Sequence, residues 1–201
     1  MKKAWMLAAV LLAACGGGAK SVSNVAQYDL GAVRPAPNNR IVAALRGIDV
    51  FAVSWLDSSA MQYRLLYAAS QRRQNYAESR WVAPPAELLG YGLRKRMLSG
   101  EAGGACRLRV DLDEFVQDFE SVKSSLALIE ARVQLIAPSG GEILARRSFS
   151  LSRPAESADA AGGATALAMA VEALAAELHD WLGGLDRTAA SGLNIAQRCR
   201  S

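Results

Sequence analysis

The sequence predicts a single α/β domain: a mixed β-sheet with helices packed on one face, in the order β-β-β-α-β-β-β-α. Three observations predict it. Runs of strand-like alternation recur between turn signals. Two stretches carry apolar residues at helical spacing. A block of three consecutive strand patterns lies between those two stretches.

Each element follows in order. Tyr28-Asp29-Leu30 reads as a short opening strand, and the Pro/Asn-rich stretch 34–39 as a loop. Ile48 to Trp55 is apolar on both parities, which predicts a strand buried on both faces near the centre of the sheet. Met61, Tyr63, Leu65 and Tyr67 alternate with Gln62 and Arg64, a half-buried strand. Tyr76 to Val82 reads as an edge strand or extended loop. Pro84-Pro85 opens a helix, where missing N–H groups cost nothing, and Leu89, Leu93 and Met97 form its stripe up to Ser99-Gly100.

Arg107 to Phe119 is a strand with Leu108, Val110 and Leu112 inward. Its apolar parity shifts at Phe115 and Phe119, which predicts a bulge or bend. Leu126 to Ile136 and Ile143 to Leu151 form a hairpin around Pro138-Ser139-Gly140-Gly141. Leu167, Val171, Leu174, Leu178 and Trp181 mark an amphipathic helix, preceded by Gly162-Gly163 and stopped by Gly183-Gly184.

The N-terminus predicts export. Met1-Lys2-Lys3 is a basic start, Ala4 to Leu12 an apolar run, and Leu12-Ala13-Ala14-Cys15-Gly16 resembles a lipobox. Residues 1–14 are thus the expected signal peptide and Cys15 the expected lipidation site. The apolar run is about half the ~20 residues that a spanning helix requires. Several acyl chains on one cysteine make a durable anchor, each buried methylene contributing about 0.8 kcal/mol. Gly16 follows the cysteine where aspartate would signal inner-membrane retention, so the periplasmic face of the outer membrane is the expected location. Residues 15–26 read as a flexible lipidated tether, 27–185 as the domain and 186–201 as a C-terminal tail.

Removing residues 1–14 takes two lysines from a formal charge of +4, leaving +2 on 187 residues (201 − 14). That mild excess, without a long Lys/Arg patch or interleaved aromatics, argues against nucleic acid as a partner. Arg72-Arg73 and Arg94-Lys95-Arg96 read as solvated faces. With Cys15 acylated, Cys106 and Cys199 remain. They either form a disulfide in an oxidising compartment or stand as two independent thiols, and both readings are open at the level of sequence.

The motifs of catalysis are missing. There is no Gly-rich phosphate loop, nucleophile elbow or His-Glu-x-x-His, and the single histidine, His179, lies on the last helix. One histidine and two distant cysteines make no metal ligand set. Asp111, Asp113 and Glu114 read as a solvated strand end. No cofactor is expected beyond covalent lipid on Cys15, and no enzymatic activity.

Residues 27–183 resemble the auxiliary lipoproteins of bacterial ABC-type lipid transporters, the PqiC-like family. The resemblance lies in Tyr28-x-Leu30, Ile48-x-Val50 followed by Trp55-Leu56-Asp57, Tyr63-Arg64, Arg80-Trp81-Val82-Ala83-Pro84-Pro85, Phe115 and Phe119, and the Ala-rich helix after Gly162-Gly163. Ser58-Ser59-Ala60-Met61 and the extension after Gly184 depart from the pattern. The resemblance implies a non-catalytic partner of an MCE-type substrate-binding protein in a transporter that moves phospholipid or other hydrophobic cargo across the envelope. A second copy of the chain is a further candidate partner. The alternative is an outer-membrane scaffold or assembly factor for a β-barrel or a peptidoglycan-linked complex. Tyr63, Arg64, Arg80 and Trp81 are candidate partner contacts, since Trp, Tyr and Arg dominate interface energetics. The competing reading places Tyr63 and Trp81 in the core, covered by arginine stems.

Overall fold

The computed structural model describes residues 25–33, 45–98, 104–185 and 194–200. The expected signal peptide, Cys15 and most of the tether lie outside these residues. Seven strands form one mixed sheet: β1 (Ala26–Tyr28), β2 (Leu45–Ala52), β3 (Ala60–Leu65), β4 (Ser70–Trp81), β5 (Cys106–Phe119), β6 (Ser125–Ile136) and β7 (Ile143–Pro154). Short helix α1 (Leu66–Ala69) joins β3 to β4. Helix α2 (Pro85–Met97) precedes β5, α3 (Ala160–Leu185) follows β7, and α4 (Ile195–Arg198) lies in the tail. The predicted class holds and the order of elements roughly matches: the short helices α1 and α4 are additional, and Tyr76–Trp81 is the end of a full seventh strand, β4, held between β3 and β1.

β5 is the spine. β6 pairs antiparallel along its whole length, and β6 in turn pairs with β7. On its other side β5 has two successive parallel partners: β2 from Cys106 to Leu112, then β3 from Gln117 to Phe119. Between them the chain makes one 3₁₀ turn, Ser54–Leu56, and re-enters the same side of the sheet. The β5 register shifts between Leu112 and Glu114, level with this handover, so the bulge predicted from the parity change is where one neighbour replaces another.

The alternating apolar parity decides which face is buried. Leu108, Val110, Leu112 and Phe115 of β5 join Ala127, Ile129, Ala131, Val133 and Leu135 of β6 under α2 and α3. Leu174 and Leu178 of α3 are completely buried there. α3 is long and apolar enough to cross a membrane, yet it is a core helix, with over half of its most apolar stretch buried. Pro85 occupies the first turn of α2, and Arg94, Lys95 and Arg96 in its last turn complement the helix dipole. The β6–β7 turn needs glycine: Gly140 and Gly141 have φ of +72° and +68°.

Several boundaries differ from expectation, among them the strand expected to include Tyr67, which ends at Leu65 where α1 begins. The first strand is Ala26–Tyr28, because Tyr28 is the last residue in register with β4, opposite Trp81. Gly162 and Gly163 lie inside α3, because Asp159 caps it: Asp159 Oδ1 accepts from Gly162 N–H at 2.8 Å and from Ser157 Oγ at 2.8 Å. Gly183-Gly184 is likewise within α3, which runs on to Leu185.

These bonds hold the Asp159 carboxyl below its usual range, the backbone bond from Gly162 first and the Ser157 hydroxyl second. A depressed folded value means that the stabilisation is complete above the unfolded carboxylate pKa, about 3.9, and is lost as pH falls through the folded value. Asp159→Ala is therefore expected to cost about 1 kcal/mol at neutral pH and progressively less in acid, read by urea denaturation across a pH series. A cost that stays constant down to the lowest pH would refute the role of the carboxylate.

The cysteines are joined: Cys106 at the start of β5 and Cys199 in the tail form a disulfide, with Cα atoms 4.9 Å apart. Ala105 N–H donates to Cys199 O at 2.8 Å, Ile195 is buried, and Arg198 pairs with Glu142.

Candidate interface on the open sheet face

The face of the sheet opposite the helices carries the other parity of each strand, and here that parity is charged. Arg109 and Asp111 pair at 2.9 Å, Arg132 and Asp113 at 2.8 Å, and Arg107 and Asp49 at 2.6 Å. Towards β3 and β4 the pairs are better shielded. Arg64 makes a bidentate contact with Asp118 at 2.7 and 2.8 Å and lies 3.6 Å from Glu114. Arg73 donates to Glu114 at 2.7 Å and to Gln62 Oε1 at 3.0 Å. The Asp118 carboxylate, first by direct hydrogen bonds, raises the pKa of Arg64, opposing the effect of burial. Planar guanidinium–carboxylate pairs of this kind fix orientation as well as charge.

Two aromatic side chains stand among these ions. Phe51 is 50 % exposed, with the Arg109 guanidinium 4.6 Å from its ring centre. Trp55 is 51 % exposed, with Arg73 at 6.0 Å. Gln62 Nε2 donates to Trp55 O at 2.7 Å and so holds the 3₁₀ turn against β3. The strand around Ile48–Trp55 was expected to be buried on both faces; instead it ends at Ala52, pairs among the described residues with β5 alone, and leaves Phe51 half exposed. An arginine over the ring takes the place of core packing, through the attraction between a cation and the aromatic quadrupole.

The four residues singled out from sequence divide by parity. Arg64 and Arg80 belong to the open face, Arg64 within its ion pairs and Arg80 exposed. Trp81 is 2 % exposed, in the core edge-on to Phe115 with ring centres 5.5 Å apart. Tyr63 is half-buried against Tyr76 and Phe119. Sequence reasoning missed Phe51, Trp55, Arg73 and Arg109 as a group. Their only signal was the aromatic or basic residue on the parity opposite Ile48 and Leu108. Asp111, Asp113 and Glu114 are not a strand end: they sit in mid-strand, each ion-paired with an arginine. Arg94 and Arg96 are also engaged, with Ile48 O and Glu172.

Beneath the N-terminus of α3 lies a buried polar cluster. Gln117, 1 % exposed, accepts from Tyr76 Oη at 2.8 Å and donates to Ser125 Oγ at 2.8 Å and Asp159 O at 3.1 Å. Burial is the main reason that the Tyr76 hydroxyl ionises well above the ordinary phenol range. Nothing around this fully bonded cluster forms a nucleophile–base pair, and no group of three His, Cys, Asp or Glu among the described residues could hold a metal ion.

The described residues thus form a one-sided α/β layer with an ion-paired, aromatic-bearing open face. The sequence profile of the ABC-type transport auxiliary lipoprotein component family matches residues 28–179, and the chain belongs to that family. It is accordingly a lipoprotein of the bacterial envelope with an auxiliary role in ABC-type transport. A crystallised protein of Xanthomonas campestris shares the fold at a TM-score of 0.67 and 22 % identity, over 85 % of this chain and 98 % of that one. A second crystallised protein, described as uncharacterized, superposes at 0.57 with 15 % identity, over 76 % and 95 %. No curated protein matches the chain.

Proposed function

We propose that the protein is a non-catalytic lipoprotein, anchored by lipid on Cys15 at the periplasmic face of the outer membrane, that docks the MCE-type substrate-binding protein of an ABC transporter. The cargo of that system is phospholipid or another hydrophobic molecule. Family membership supports the transport role. The observation that carries docking is the half-exposed pair Phe51 and Trp55, each under an arginine, on a sheet face that no helix covers among the described residues. Aromatic and arginine side chains of this kind dominate interface energies, and here their mutual contacts hold them ready for a partner.

The test is a mild-detergent pull-down of the tagged, lipidated chain with mass spectrometry of its partners. An MCE-type protein recovered with its permease and ATPase is the expected result. Phe51→Ala combined with Trp55→Ala should cost at least about 2 kcal/mol of binding, roughly 30-fold in Kd, with the thermal unfolding midpoint little changed. Arg80→Glu on the same face should weaken capture as well. Recovery of a barrel or cell-wall protein instead, or capture indifferent to these changes, would overturn the reading.

A further inference from the structure

A second apolar surface lies on the helical side, where the chain enters the fold. After β1, Leu30 drives in between the helices: a Cβ on Gly92 of α2 would lie 3.2 Å from Leu30 Cδ1 and 3.0 Å from Val171 Cγ1 of α3. Asp29 Oδ1 accepts from Gly31 N–H at 2.7 Å, and Gly31 takes a φ of +67°, so the segment bends sharply here. Val82 N–H donates to Tyr28 O at 2.9 Å, which fixes Val82 beside this bend.

Two hollows flank the bend, of about 340 and about 440 Å³, and both are bordered by Asp29, Leu30, Gly31 and Val82. They form one groove, running from Leu88 and Tyr91 of α2 to Ala164 and Ala168 of α3. Val82 is 53 % exposed and Tyr91 51 %. Lys95, one turn on from Tyr91, holds its ammonium 5.7 Å from the ring centre. Asp29 and Glu87 stand at the rim.

We infer that this groove is a bilayer-contact surface that takes phospholipid acyl chains at the membrane to which the protein is anchored. The inference rests on the anchor at Cys15 proposed above. Ten residues, 16–25, separate Cys15 from Ala26. Whatever their conformation, they span no more than about 36 Å, because a residue adds at most about 3.6 Å. Ala26 is in register with Ser79 and the groove begins at the next residue, Gln27, so the tether joins the body beside the groove.

The chemistry fits. Val82 supplies exposed aliphatic surface, above the buried Leu88. Tyr91 with Lys95 is an aromatic body with a cation, a combination that settles at headgroup level. The carboxylates of Asp29 and Glu87 favour the ammonium of an ethanolamine headgroup over a purely anionic one. The anchor already confines the protein to the membrane, so a modest apolar contact is enough to orient it. The ion-paired open face would lose its hydration against lipid without gaining any, and so remains available to a protein partner.

Photoreactive benzoylphenylalanine placed at Val82 or at Tyr91, with Ser150 on the open face as control, tests this in the full chain expressed in a Gram-negative host. Membranes are irradiated and adducts identified by mass spectrometry. Phospholipid adducts at 82 and 91 several-fold above those at 150, richest in ethanolamine lipid, are expected. Adducts no more frequent than at 150, or adducts to a second copy or another protein, would overturn the inference. Partner capture without lipid adducts would sink the bilayer contact alone, and adducts without capture would sink the transporter reading alone.

Discussion

Gly163→Ala should destabilise the protein by about 2–6 kcal/mol, a large part of the stability of a domain this size. The position is in the first turn of a helix, where alanine is normally the better residue. Here a Cβ would overlap the carboxamide of Gln117, far inside van der Waals distance. A flexible side-chain end could swing away cheaply, but Gln117 is buried and held by Tyr76, Ser125 and Asp159 O. Moving it adds the loss of buried hydrogen bonds, about 1–3 kcal/mol, to overpacking of about 1–3 kcal/mol. Urea denaturation measures the sum. Gln117→Ala should cost stability alone yet relieve part of the Gly163→Ala penalty, so the pair should be strongly non-additive. An additive double mutant, or a stabilised Gly163→Ala, would show that α3 does not rest on this contact. Gly162→Ala should behave similarly, because its Cβ would meet the backbone oxygen of Ser157.

Removing the Cys106–Cys199 bond should have an effect of the same size. The two positions are 93 residues apart, and on the chain-entropy account closing a loop that long contributes roughly 4–5 kcal/mol. The bond also holds the tail, whose Ile195 is buried and whose Arg198 meets Glu142. Cys106→Ala with Cys199→Ala, or reduction by dithiothreitol, is expected to lower the unfolding midpoint sharply and to expose the tail to proteolysis before the sheet. Unchanged stability on reduction would mean that the noncovalent contacts of Ile195 and Arg198 suffice.

The core face was largely legible. Ala127, Ile129, Ala131, Val133 and Leu135 alternate without a break, and all five are buried. The parity change before Phe115 marked a bulge because a strand can shift its inward set only by inserting a residue. The open face was not legible for the complementary reason. An apolar residue on each parity is the pattern of a doubly buried strand, and nothing in Ile48–Trp55 reveals that arginines from β4 and β5 will cover Phe51 and Trp55. Trp81 and Arg80 are adjacent in sequence and on opposite faces in space, so their shared appeal as partner contacts could not survive the pleat.

Local pattern was enough for elements whose partners are close in sequence or whose own periodicity says which side is buried: α2, the β6–β7 hairpin and the stripe of α3. The export signal expected at residues 1–15 rests on equally local features: charge, apolar length and a cysteine. Tertiary structure decided the rest. The handover of β5 from β2 to β3, the pairing of Cys106 with Cys199, the Tyr76–Gln117 contact beneath Gly163 and the ion pairs of Arg64 and Arg73 each join residues dozens of positions apart. Such contacts depend on register, and register follows from how all seven strands pack at once rather than from any one of them.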